Sequence, residues 1–107
     1  MTSSELPKMN MPERFRASVL QGTKLAMTRP VRFAPVGSRF VAFGQEFVLV
    51  AVRELTLDVV ATYLYRVEGF RSKEDFMECW YSQFPDSGCE AGQTVYVHMF
   101  TKAGQVD

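Results

Sequence analysis

Apolar residues recur at a spacing of four at Met11, Phe15 and Val19, with Asn10, Pro12 and Glu13 in front of them and Gly22 behind. This is the pattern of one buried helical face opened by a capping box and closed by glycine, so a helix is expected over about 11–21. Pro30, Pro35 and Gly37 break up the next stretch and leave Lys24 to Arg29 as at most a short extended segment leading into a loop. Arg39 to Phe43 and Phe47 to Leu57 are rich in Val, Phe and Leu and read as a hairpin of strands, with Gly44-Gln45 as the tight connection. Asp58 heads a second helix with Val60, Tyr63, Leu64 and Val67 on one face, ended by Glu68-Gly69. A third comes at once: Ser72 with Asp75 three residues on is a cap signal, and Phe76, Met77, Trp80 and Phe84 form its apolar stripe up to Pro85. Thr94 to Thr101 reads as a closing strand, with Val95, Val97 and Met99 on one face and Tyr96, His98 and Phe100 on the other.

This order of elements predicts an α+β fold, a compact twisted sheet or small open β-barrel flanked by helices. Residues 1–9 lack periodicity and read as a flexible arm, 10–102 as a single domain and 103–107 as a short tail. A length of 107 residues fits one such unit. With 47% hydrophobic and 22% charged residues, the composition is that of a globular domain and excludes intrinsic disorder. The longest apolar run, Phe47 to Val52, falls far short of a membrane span, and the N-terminus lacks the basic-then-apolar layout of a secretory signal. A cytoplasmic protein without membrane association is expected. Cys79 and Cys89 are too few for a disulfide scaffold and are not spaced like a zinc knuckle, so reduced thiols and no metal or other cofactor are expected.

Charge changes the picture. Twelve basic and twelve acidic residues cancel overall, yet residues 1–53 carry a balance of +5 and residues 54–107 of −5. Between Arg14 and Gln45 stand Arg14, Arg16, Lys24, Arg29, Arg32 and Arg39 without a single acid. Such a run is what a phosphate-binding surface requires, although folding can equally pair these cations with the acidic second half. Neutral net charge argues against strong binding to duplex DNA, while leaving room for a nucleotide pocket or a single-stranded segment.

Gly22-Thr-Lys24-Leu-Ala-Met27-Thr-Arg29, placed after an amphipathic helix and before the Val36-Gly37 turn, resembles the Gly-x-Lys-x-x-Glu/Thr-x-Arg signature of the ASCH domain. Glu68-Gly69-Phe70 with a capped helix after it resembles its second signature, and Val95 to Phe100 its final strand. The three blocks span roughly residues 12–101 in the family's order. The resemblance implies a PUA-like barrel and a pocket that binds RNA or a modified nucleoside or nucleotide. Its lining would come from Gly22, Lys24, Met27, Arg29 and Glu68. Lys24 would offer a point charge to a phosphate or carbonyl oxygen, Arg29 a planar fork, Glu68 an acceptor for a base edge, and Gly22 a close backbone approach. Alternatively, Lys24 and Glu68 simply form an ion pair.

One bacterial branch of that family hydrolyses N4-acetylcytidine with a Lys, a Thr and a Glu, which fall by position on Lys24, Met27 and Glu68. Met27 breaks the set, because a thioether has no proton to give up and forms no acyl intermediate. Thr28 is expected to point away from the pocket, since neighbours in an extended segment face opposite sides. Lys24 and Glu68 would then be the catalytic pair of any amidohydrolase activity, by activating water. His98, the one histidine, reads as structural, and no phosphate loop or dinucleotide fingerprint is present. A third class, a protein-interaction module, depends on whether Tyr63, Tyr65, Phe70 and Trp80 all fit inside the core.

Overall fold

The computed structural model describes residues 6–103. Four strands form one antiparallel sheet curled into a half-barrel: β1 (Ala26–Arg29), β2 (Arg39–Ala42), β3 (Gln45–Thr56) and β4 (Thr94–Lys102), in the order β1-β4-β3-β2. The long closing strand thus lies between the short first strand and the hairpin. Val95, Val97, His98 and Phe100 are all buried, so both faces of β4 are covered. One face meets a cluster in which the rings of Phe40, Phe47 and Phe100 lie 5.3–5.7 Å apart, joined by Phe33 at 5.7 Å from Phe40. Truncating Phe40, Phe47 or Phe100, all buried, to alanine costs about 3–5 kcal/mol.

Helices cover the other side. The first begins as a 3-10 turn, Glu13–Phe15, and continues as α1 (Arg16–Gln21), two residues later than its apolar spacing predicts. Pro12 occupies the cap without a side-chain hydrogen bond, and Asn10 stands outside the helix, so the expected capping box does not form. Gly22 closes α1 at φ 84°, where the Ser18 carbonyl accepts from the N–H groups of Thr23 and Lys24.

The hairpin turns one residue earlier than expected. Phe43 and Gly44 both take positive φ, 52° and 76°, the geometry that matches the twist of a two-residue hairpin. The Arg16 guanidinium lies 5.0 Å from the Phe43 ring centroid and helps to hold this unusual conformation. A register shift between Leu49 and Ala51 bends β3 and leaves Val50 outside.

After β3 the Thr56 hydroxyl, rather than Asp58, accepts from the Val59 N–H and caps α2 (Leu57–Val59), which runs straight into a π-helical turn, Val60–Leu64. The wider turn alters which positions face inward. Val60 and Ala61 are buried and Tyr63 is 76% exposed, against the expectation for Tyr63. In α3 (Lys73–Gln83) the Ser72 hydroxyl accepts from the Asp75 N–H at 3.0 Å as the cap signal predicts, and Phe76 and Trp80 point into the core.

Residues 7–9, expected as part of a flexible arm, run beside β2. Val41 donates its N–H to the Pro7 carbonyl and accepts from the Met9 N–H, and the Met9 side chain is buried. The sheet's outer edge explains this, because unpaired strand groups favour a covering segment. Residues 1–5 and 104–107 lie outside the described residues. No helix among those described is long and apolar enough to cross a membrane.

Candidate functional site

Lys24, Thr28 and Glu68 meet on the helical side of β1, each at most 2% exposed. The turn that carries Glu68 docks directly on the strand. The Leu25 N–H donates to the Val67 carbonyl at 3.0 Å, and Gly69, at φ 93°, lies so near Lys24 that a Cβ there would sit 3.5 Å from its Cδ. The Lys24 ammonium donates to the Glu68 carbonyl and stands 3.6 Å from Glu68 Oε1. It also faces the rings of Phe15 and Phe70, at 4.3 and 5.5 Å from their centroids. Burial pulls the Lys24 pKa below the usual lysine range, and the Glu68 carboxylate opposes that shift.

Thr28 completes the cluster. Its hydroxyl donates to Glu68 Oε2 at 2.6 Å and its backbone N–H to Oε1 at 3.2 Å, so both carboxylate oxygens are engaged. Thr28, expected to point away from the pocket, instead pairs with Val97 and faces Glu68. Met27 pairs with His98, is buried, and borders the same space beside Thr28 and Glu68. The hydroxyl absent at position 27 is therefore supplied at 28, and the signal for it was the docking of the Glu68 turn, which no local spacing encodes.

His98 is held as one neutral tautomer. The Phe33 N–H donates to Nε2 at 2.9 Å, which leaves Nδ1 to donate to the Met27 carbonyl at 3.2 Å, and burial pushes the imidazole pKa down. It pins the loop after β1 and does not touch Glu68 or Thr28. Arg29 is half-buried with its guanidinium 5.5 Å from the Phe33 centroid and 5.9 Å from that of Phe84. Its buried Nε has no hydrogen-bond partner.

Above Thr28 and Glu68 lies a narrow slot walled by Met27, Phe70, Phe76, Trp80 and Phe84, with Cys79 and Gln83 at its side. Its volume is about 10 Å³, room for a single water. Gly22 lies outside the slot, on a groove of about 230 Å³ that Lys24 also lines, together with Leu25, Phe100 and Lys102, and a Cβ at Gly22 would meet nothing within 4 Å. Its positive φ serves the helix cap. Among the described residues no group of His, Cys, Asp and Glu side chains is placed to hold a metal ion, and both cysteines are free thiols.

No protein-family model matches the chain, and neither does any curated protein. Among solved structures, the crystal structure of hypothetical protein PH0355 matches it with a TM-score of 0.67 and 15% sequence identity, over 86% of this chain and 94% of that one. The two share a fold.

Proposed function

We propose that the chain is a PUA-like domain of the ASCH type that binds a modified nucleobase, carried by a nucleoside, a nucleotide or single-stranded RNA, over Thr28 and Glu68. The observation that carries this reading is the buried hydrogen-bonded cluster of Lys24, Thr28 and Glu68 beneath aromatic walls. A buried ion pair is seldom the most stable filling of a core, so a cluster of this kind fits a binding role better than a purely structural one. With both Thr28 donors turned to Glu68, the spare lone pairs of the Thr28 hydroxyl and the Glu68 carboxylate accept from a base edge, and the aromatic rings supply stacking faces. Lys24 acts through Glu68, because its ammonium is buried against the protein's own oxygens and cannot reach a phosphate.

Trp80 is the chain's one tryptophan and lines the slot. Titration with cytidine and N4-acetylcytidine is expected to change its fluorescence saturably. A flat response to both, with no amide shifts at Thr28 or Glu68, removes the reading.

The short Thr28–Glu68 bond favours a second reading, amide hydrolysis. Here Thr28 Oγ1 attacks the acyl carbonyl and its proton passes to Glu68. The C–N bond breaks, the amine leaves with that proton, and water hydrolyses the threonine ester to release acetate. Release of acetate from N4-acetylcytidine by the native chain, lost in Thr28→Ala, is the expected result. Binding without acetate leaves a binding module.

A further inference from the structure

The six cations of the acid-free run separate into two groups once the chain folds. Arg14 pairs with Asp75 at 3.0 Å, Arg16 with Glu13 at 2.5 Å, Lys24 with Glu68 at 3.6 Å and Arg39 with Glu46 at 2.5 Å. Arg29 and Arg32 have no such carboxylate partner among the described residues. Both lie beside one residue of β4. Tyr96 is the register partner of Arg29 across β1 and β4, and the Arg32 guanidinium lies 5.0 Å from the Tyr96 ring centroid.

The geometry around them is that of an anion site. Arg32 is exposed, and the rings of Phe33 and Phe84 lie beside the Arg29 guanidinium, whose Nε lacks a partner. Guanidinium groups held against rings keep their N–H edges for an acceptor. The acid that faces this group is the exposed Glu54, opposite Tyr96 on β3, and it pairs with neither arginine. Phe84 ties the place to the slot, since it contacts Arg29 and also walls the space above Thr28 and Glu68.

We infer that Arg29, Arg32 and Tyr96 form a phosphate subsite beside the slot, so that the ligand is a nucleotide or a nucleic-acid strand rather than a free nucleoside. The position of the base rests on the proposed nucleobase reading; the phosphate contacts stand without it. Inorganic phosphate, cytidine, cytidine 5′-monophosphate and a single-stranded RNA trinucleotide would be titrated into the full chain and followed by amide-resolved NMR. Phosphate alone is expected to shift residues 29, 32 and 96. Cytidine monophosphate is expected to bind about tenfold tighter than cytidine, a gain that falls below about threefold in Arg32→Ala and is partly kept in Arg32→Lys. A trinucleotide that binds tighter than the monophosphate identifies a strand, and equal affinity identifies a free nucleotide; both support the subsite. Equal affinities for cytidine and its monophosphate, with no phosphate shifts at 29, 32 and 96, overturn the subsite and leave base binding intact. Phosphate shifts at those residues without any response to cytidine at Thr28 or Glu68 support the subsite and remove the base-binding reading instead.

Discussion

The Thr28 hydroxyl lies 2.6 Å from Glu68 Oε2, a bond that joins the first strand to a turn forty residues later and places a proton donor against a buried carboxylate. The Lys24 ammonium, 3.6 Å from the other oxygen of the same carboxylate, neutralises it. Charge, hydroxyl and aromatic walls are thus assembled by tertiary docking, and the consequences can be measured.

Removing one member of the ion pair strands the other in a dry site. Glu68→Gln is therefore expected to lower stability by about 3–5 kcal/mol, whereas Lys24→Met combined with Glu68→Gln recovers a large part of that loss. Urea denaturation of the three chains checks this. A single-variant loss below about 1 kcal/mol would mean that water reaches the pair.

Met27 and Thr28 are expected to behave as opposites. Thr28→Ala removes a hydrogen bond to a charged group, at a cost of about 1.5–3 kcal/mol, and abolishes ligand response. Met27→Thr puts a hydroxyl into the apolar face beside His98 and lowers the melting temperature without raising affinity or acetate release. Turnover gained in Met27→Thr would place the chemistry at position 27.

Stability is expected to fall on the acid side through His98. Burial lowers its folded pKa, so below about pH 6.5 the unfolded chain takes up a proton that the folded chain refuses. Stability is then lost progressively as pH falls from that value toward the folded pKa, and no further below it. Denaturation at a series of pH values, compared with His98→Gln, isolates this contribution. An unchanged slope in the variant would contradict it.

Gly22→Ala tests the helix-cap role. Nothing lies within 4 Å of the added Cβ, so the cost is backbone strain at φ 84°, about 1–2 kcal/mol, with ligand response retained. Loss of ligand response in a folded variant would return Gly22 to the binding site.

Local chemistry made much of the fold legible. The Ser72 cap, the Gly22 stop and the alternating closing strand are set by residues within a few positions of one another, and they stand where their spacing predicts. The π-turn is different: nothing in Val60 to Leu64 marks it, and it re-aims Tyr63 to solvent. Phe43 takes a positive φ that its side chain disfavours, because a two-residue hairpin turn demands it. The pairing of Lys24 with Glu68 was among the sequence expectations, but the contact of Thr28 with Glu68 depends on which face of β1 receives the Glu68 turn. Burial of Phe70 and Trp80, also a tertiary outcome, removes two of the four aromatics on which a protein-interaction surface depended.

The nucleobase reading requires that ligand be received over Thr28 and Glu68. Amide- and side-chain-resolved NMR with N4-acetylcytidine tests this most directly, comparing the native chain with Phe84→Ala, which widens the slot. Saturable shifts are expected at Thr28, Glu68, Phe70 and the Trp80 indole N–H, with a faster approach to saturation in Phe84→Ala. Shifts confined to the Gly22 groove, with Thr28, Glu68 and Trp80 unmoved, would contradict it.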